Sequence, residues 1–317
     1  MLLSRVADAL YWISRYLERA EHTARVTDVV VDLGLGRATS DNGAIGRLYG
    51  SLGLATADVD DQLAPLADAA FFDLTYRNSV VACVTSAREN ARQVREEISS
   101  DMWEQLNALY LRLKQIREDA GWTGRTHYLA RSVIEGVHLF QGITDATMNH
   151  GEGWQYLRAG RFLERAGATA ALLDLFLDDS AQPDRTAPLD QAEWVGLLRS
   201  CSALEAYCRH YTADVRPERV AEFLLLSAEF PRSVRFAAAS LESALLATAK
   251  SSGRRAGGRA ERLAGRLHAS LDYGQVDEIL SDDPHGYLAG ISRQCSLVHS
   301  ALTQTYMTYS IESALPA

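Results

Sequence analysis

The fold is decided by ten residues, Arg15-Tyr16-Leu17-Glu18-Arg19-Ala20-Glu21-His22-Thr23-Ala24, that return as Arg161-Phe162-Leu163-Glu164-Arg165-Ala166-Gly167-Ala168-Thr169-Ala170. Seven of the ten positions are identical, and an eighth exchanges Tyr for Phe. Because chance rarely produces such a match, the sequence predicts two copies of one helical unit.

The first copy belongs to a long amphipathic helix. Apolar residues recur there at alternating spacings of four and three, at Val6, Leu10, Ile13, Leu17, Ala20 and Ala24. This narrow stripe is typical of a helix that packs against another helix. We expect Ser4 to cap the helix and Gly34 and Gly36 to end it.

Helical periodicity continues along nearly the whole chain, and no segment reads as a pair of strands. A shorter helix within residues 37–60 precedes a long helix over about 77–99, another capped by Asp101, and a break at Gly121 and Gly124. The remaining helices are predicted over about 126–147, the second copy to about 177, 190–210, 217–229, 231–251, 256–271 and 285–311. Residues 178–188, with two prolines and several Asp residues, are the best linker candidate, either between domains or within a repeat.

A second pair of segments supports the repeat. Tyr76-Arg77-Asn78-Ser79-Val80 and Phe230-Pro231-Arg232-Ser233-Val234 both open long helices downstream of the charged motif, although only Ser-Val is identical. We therefore predict an all-α fold, a duplicated helical bundle of two similar halves of long helices packed together. The expected arrangement is a single domain over residues 1–317, made of two repeats at about 1–124 and 125–317.

The bulk composition limits the class of protein. It is typical of a folded globular chain, with 47% hydrophobic and 23% charged residues. The net charge of −9 argues against a nucleic-acid binder, because contacts to phosphates supply most of that affinity. The four cysteines, at 83, 201, 208 and 295, lack zinc-site spacing and are expected to be buried free thiols. Since charges interrupt the N-terminus and no apolar run could span a membrane, we expect a cytoplasmic protein with no membrane segment.

The repeated charges are the main candidates for function. On a helix, Arg15, Glu18, Arg19 and His22 share one face, opposite the apolar stripe, and Arg161, Glu164 and Arg165 are placed alike. Three interpretations stay open: a solvated face with weak ion pairs, a buried Glu–Arg pair that locks helices together, or a site for an anionic or peptide-like ligand. The repetition favours the last two, with the lock ahead.

A metal site is disfavoured at the motif. Glu18 and His22 have the spacing to hold one ion, but Ala168 replaces the histidine in the second copy and the flanking arginines repel cations. We expect no metal and no cofactor.

A third charged segment lies on the predicted helix over 77–99. It holds the candidate binding residues Arg88, Glu89, Asn90, Arg92 and Arg95, which an exposed salt-bridged helix would also explain. Trp103 and Asn107, one turn apart, would extend it into a polar-aromatic surface. The basic stripe of Arg255, Arg259, Arg262 and Arg266 is expected to face solvent or a partner. No nucleotide-binding, metalloprotease or hydrolase motif is present, so no catalytic mechanism emerges.

These motifs together resemble the Alpha-E family of bacterial helical proteins, which is named for a Glu-Arg motif. The matching segments are Leu3-Ser4-Arg5-Val6-Ala7, Leu10-Tyr11-Trp12, Arg15 to Ala20, Thr23-Ala24-Arg25, Ala87 to Arg92 with Trp103 and Asn107, Gly160 to Ala166, and Phe230 to Val234. Arg232 in the last segment joins the candidate binding residues. One departure is Ser14, where the family usually has Gly.

The resemblance implies an all-helical fold and a bacterial source. It also implies a partner, a circularly permuted ATP-grasp peptide ligase, with transglutaminase-like and proteasome-related peptidases as further neighbours. The leading hypothesis is therefore an accessory protein that binds the ligase or its peptide substrate. The alternatives are an enzyme that acts on an amide or peptide, with Glu18 or Glu164 as general base, and a purely structural scaffold.

Overall fold

A computed structural model describes residues 2–35, 43–54, 63–118, 125–177, 191–253 and 257–308. Within these ranges the chain forms helices and no strand, so the predicted all-α class is confirmed. The helices are α1 (Ser4–Leu35), α2 (Gly43–Ser51), α3 (Leu63–Phe72), α4 (Val80–Gln93), α5 (Ser100–Glu118), α6 (Thr126–Thr147), α7 (Glu152–Leu177), α8 (Gln191–Ser200), α9 (Leu204–Tyr211), α10 (Pro217–Leu226), α11 (Val234–Ser251), α12 (Arg259–Asp272), α13 (Val276–Ser281) and α14 (Pro284–Leu302), followed by a π-helical turn (Thr303–Met307).

Serine caps explain two of the observed helix starts. The Ser79 side chain accepts a hydrogen bond from the backbone N–H of Ala82, so α4 begins at Val80, three residues later than predicted. Ser99, not Asp101, caps α5, because its hydroxyl accepts from the N–H of Met102 at 3.2 Å. The predicted cap at Ser4 is also wrong, since the helix already includes Ser4.

Other boundaries differ where the chain turns sharply. The predicted helix over 190–210 is two helices, α8 and α9, separated by Ser202 with a φ of 50°. Helices α3 and α13 were not predicted. The predicted breaks at Gly36, Gly121 and Gly124 and the linker over 178–188 lie outside the described residues. The closing helix ends at Met307, four residues before the predicted end, because Thr308 has an extended backbone.

Helices α1 and α7 form the centre of the fold and run parallel. Contacts further along α1 are also further along α7, from Leu10 beside Gly153 to Glu18 bonded to Arg165. The closest approach is at Gly160, where an added Cβ would collide with the backbone oxygen of Tyr11 and the Ser14 hydroxyl. A glycine is therefore required there for the two helices to meet.

The other long helices surround this pair in the same order on each side. Helix α1 contacts α4 and α6, with α5 between them, while α7 contacts α11 and α14, with α12 between them. This order is what a duplication predicts, and the duplication stays a prediction. Helix α6 packs with α4 and α5 on the α1 side of the fold, whereas the predicted boundary near residue 124 assigns α6 to the second repeat.

The hydrophobic core is one cluster of buried side chains that includes both the helices around α1 and the helices around α7. In the described part of the chain, no helix combines the length and the apolar character needed to cross a membrane.

Candidate functional site

The two charged motifs exchange partners across the α1–α7 contact. Glu18 accepts from Arg165 at 2.6 Å (Nε) and 2.8 Å (Nη2). In return, Glu164 accepts from the Nε atoms of Arg15 and Arg19, both at 2.7 Å. Each carboxylate is thus neutralised by arginine from the other motif, which joins the two central helices.

The Glu18 half of this arrangement is sealed from solvent. The Glu18 side chain is 2% exposed, and Arg232 lies 3.2 Å from its Oε1. Burial alone would raise the pKa of Glu18, but Arg165 and Arg232 outweigh burial and hold that pKa below its usual value. This burial excludes the solvated-face interpretation for Glu18 and fits the helix lock.

A second carboxylate, Glu21, completes the sealed half. It is fully buried and bonds to Arg232, to Arg25 and, at 2.9 Å, to His138 Nε2. Although burial opposes this, Arg232, the hydrogen bond from His138 and Arg25 hold the pKa of Glu21 well below its usual range. Two carboxylates and three arginines therefore form one buried network.

Arg161 corresponds to Arg15 in the repeat but behaves differently. Its Nε is buried without a hydrogen-bond partner, and no described residue forms an ion pair with it. Burial and the neighbouring Arg165 lower its pKa. The adjoining pocket, of about 10 Å³, is too small for a ligand larger than water.

The Glu164 half opens instead into a cleft of about 290 Å³. This cleft, called the Glu164 cleft below, lies between α1, α2, α7, α14 and the segment before α4. Its lining residues are Arg15, Arg19, His22, Thr23, Ser51, Leu52, Tyr76, Asn78, Leu163, Glu164, Gly167, Ala168, Ala171, Ser292, Cys295, Ser296 and His299.

Hydrogen bonds position the charged wall of the cleft. Arg19 also donates from Nη1 to Asn78 Oδ1 at 3.0 Å, and Thr23 donates to the Asn78 carbonyl at 3.2 Å. Despite its burial, Arg15 and Arg19 hold the pKa of Glu164 below its usual value. The Glu164 carboxylate is consequently ionised and already satisfied.

The histidines of the cleft are uncharged near neutral pH. Burial, with Arg232 as the next cause, lowers the pKa of His22 to about 4, and no described residue hydrogen-bonds its ring. Burial and Arg15 lower the pKa of His299. The Tyr11 hydroxyl, which accepts from Arg15, lies 2.9 Å from His299 Nδ1, an arrangement that favours the ring proton on Nε2.

Cys295, in the same wall, is a poor nucleophile. Burial raises the pKa of its thiol to about 12, so the thiolate is scarce at neutral pH. The cysteines are free in the structure; Cys208 is half-buried and the other three are buried.

The third predicted segment lies away from the cleft. Arg88 stacks over Tyr110 at 4.6 Å and Trp103 at 5.3 Å, and Arg95 lies 4.4 Å from the Trp103 ring centroid. Arg88 also donates to Asn107 at 2.8 Å, whereas Glu89 and Arg92 form an exposed pair. Arg88, Glu89, Asn90, Arg92 and Arg95 thus belong to the α4–α5 surface.

The predicted binding residues therefore fall into three places. Arg15, Arg19, His22 and Glu164 line the cleft. Glu18, Arg165 and Arg232 belong to the buried network, and Arg161 lies beside it. The other predicted residues lie on the α4–α5 surface. Sequence reasoning missed Glu21, Asn78 and His299. For Glu21 a signal existed, because it lies one turn from Glu18 and four residues before Arg25.

No group of three or more His, Cys, Asp or Glu side chains among the described residues could hold a metal ion.

Comparison with known proteins identifies the family of this chain. A sequence model of the Alpha-E family, described as a predicted alpha-helical domain with a conserved ER motif, matches residues 2–307. Uncharacterized proteins of Mycobacterium bovis and Mycobacterium tuberculosis are 24% identical over 321 residues. The match covers 94% of this chain but 35% of each relative, so the chain spans about a third of their length. No solved structure matches it. Because the family match runs through nearly the whole chain, this protein belongs to the Alpha-E family.

Proposed function

We propose that this protein is a non-catalytic accessory protein that acts with a circularly permuted ATP-grasp ligase and binds the ligase or its peptide substrate. The observation that carries this proposal is the saturation of both motif carboxylates by arginine. A general base at neutral pH needs a raised pKa, and the pKa values of Glu18 and Glu164 are both lowered. The enzyme alternative is therefore disfavoured.

Two further observations support a binding role. The Glu164 cleft is concave and offers several polar groups to a ligand, as binding sites do. In the mycobacterial relatives, the matched segment is joined to additional sequence that makes up most of the chain. A domain that is part of a larger chain in its relatives suits a role beside a catalytic partner.

The test is co-purification of this protein with the ATP-grasp ligase, together with ligase turnover measured with and without it. We expect a complex and higher turnover on the peptide in its presence. The proposal fails if no complex forms and the ligase is fully active alone. The same co-purification tests the transglutaminase-like and proteasome-related peptidases as further partners.

Substitution separates the three hypotheses. Glu164→Gln is compared with Glu135→Gln, an exposed carboxylate whose one ion-pair partner among the described residues is Arg131 on its own helix. Loss of amide or peptide turnover with an unchanged melting temperature would favour catalysis by Glu164. A lower melting temperature with normal ligase turnover per folded molecule favours the structural lock, and no effect on pathway product favours a pure scaffold.

A further inference from the structure

We propose that the Glu164 cleft binds a free carboxylate, the C-terminal carboxylate of a short peptide with a small apolar last residue. This deepens the proposed function by naming the chemical group that the protein would present to the ligase. Binding itself is a property of this chain alone, so it can be measured without any partner.

The charged side chains of the cleft leave room for one negative group on a ligand. Arg15 and Arg19 contribute two positive charges, and Glu164 contributes one negative charge. The two histidines of the lining add none near neutral pH. One positive charge is left in a partly enclosed site, and a single carboxylate would balance it.

Unused donors converge on the same space. Arg19 donates from Nε and Nη1 but makes no described hydrogen bond from Nη2. Ser292 shows no hydrogen bond from its hydroxyl, and His299 Nε2 is free while Nδ1 faces Tyr11. Both oxygens of a carboxylate could be satisfied by groups of this kind.

The repeat explains why the cleft is open on this side. In the first copy, Glu21, His22 and Arg25 project from α1, and the carboxylate of Glu21 fills the buried network. At the corresponding positions of α7 stand Gly167, Ala168 and Ala171, all of which line the cleft. A carboxylate from the chain itself thus occupies one half, while the other half has lost the side chains that would fill it.

The volume and the lining of the cleft limit the size and the polarity of the ligand. About 290 Å³ is at the lower end of the roughly 300–1,000 Å³ of small-molecule sites, so the cleft suits the end of a peptide more than a large ligand. Leu52, Leu163, Ala168 and Ala171 give it an apolar side. A small apolar side chain next to the carboxylate fits these walls.

The experiment is calorimetric titration of the full chain with N-acetyl-alanyl-alanine, with its C-terminal amide and with inorganic phosphate. We expect the acid to bind at least about tenfold more tightly than the amide, because the amide cannot balance the charge. Equal binding of acid and amide overturns the proposal, and so does binding of phosphate without binding of the acid.

A matched pair of glycine variants locates the site. Gly167→Leu places a side chain in the cleft, and Gly142→Leu makes the same change on α6; a Cβ at either position meets nothing within 4 Å. We expect Gly167→Leu to abolish binding of the acid and Gly142→Leu to retain it. Equal binding by both variants overturns the assignment.

A smaller change guards against a folding effect. Ser292→Ala removes one unpaired hydroxyl, and we expect it to weaken binding of the acid about two- to tenfold, the equivalent of one hydrogen bond. Unchanged affinity removes Ser292 from the site. Failure here is distinct from failure of the proposed function: a ligase complex that forms without acid binding overturns only the cleft assignment, and acid binding without a complex overturns only the partnership.

Discussion

Glu18 and Arg165 form a doubly hydrogen-bonded ion pair at the centre of the molecule, although 147 positions separate them in sequence. Their side chains are 2% and 8% exposed, so water cannot replace either partner. Arg232 adds a third charge from the segment before α11. The pair therefore ties together three parts of the chain, and its stability contribution depends on all its members being present.

Removing one member should destabilise the fold strongly. We expect Arg165→Met to lower the free energy of unfolding by about 3–5 kcal/mol, because Glu18 is left with a buried charge that is only partly compensated. Arg131→Met is the control: its partner Glu135 is on the same exposed helix surface, and a change below about 1 kcal/mol is expected. Urea denaturation of both variants measures this, and similar small losses would contradict the lock.

Two glycines on α7 should respond in opposite directions to alanine. Gly167→Ala should stabilise by about 0.5–1 kcal/mol, because its Cβ meets open space and alanine favours the helix. Gly160→Ala should destabilise by about 1–3 kcal/mol or more, because its Cβ meets the backbone of Tyr11. Chemical denaturation checks both, and a stable Gly160→Ala variant would contradict the close helix contact.

The sequence predicted the helices of the motif better than their surroundings. Spacing alone showed that Glu18 lies opposite the stripe of Leu10 and Leu17. It could not show that α1 is covered on both faces, because a charged face is normally solvated. Burial becomes possible only when arginines from distant segments satisfy the carboxylates, and that pairing is a property of the tertiary fold.

The cleft was harder to predict for the same reason. Arg19 and Glu164 were candidates because they repeat. Asn78 lies in the segment that supports the repeat but was not a candidate, because the matching segment has Arg232 there, and Ser292 belongs to no motif. Packing of α14 and the segment before α4 brings these side chains together. Gly167 stands at the position that matches Glu21 in the other motif, which the sequence shows, yet only the structure shows that Gly167 faces open space.

His22 should make stability depend on pH above the range of the carboxylates. Its folded pKa of about 4 lies below the unfolded value of about 6.5, so the unfolded chain takes up the proton first as the pH falls. Stability is therefore lost as the pH drops from about 6.5 towards 4, by up to about 3 kcal/mol. Glu18, Glu21 and Glu164, whose pKa values are lowered, lose their contribution only below about 4.5.

His22→Gln should reduce the loss of unfolding free energy between pH 6.5 and 5, measured by urea denaturation across that range. The slope that remains comes from His299, whose pKa burial also lowers. His150→Gln, at an exposed histidine stacked on Trp154, is the control and should keep the slope of the unmodified protein. An unchanged slope in His22→Gln would show that another group is responsible.

Arg88 and Arg92 on α4 should differ in their contribution to stability although they are one turn apart. Arg88 lies over Trp103 and Tyr110 and donates to Asn107, so Arg88→Ala should cost about 1–2 kcal/mol. Arg92 is 61% exposed and, in the described part of the chain, pairs with Glu89 alone, so Arg92→Ala should change stability by less than about 0.5 kcal/mol. Urea denaturation monitored by tryptophan fluorescence compares the two variants. Equal effects would show that the stacked arrangement contributes nothing and that both arginines belong to an ordinary solvated helix face.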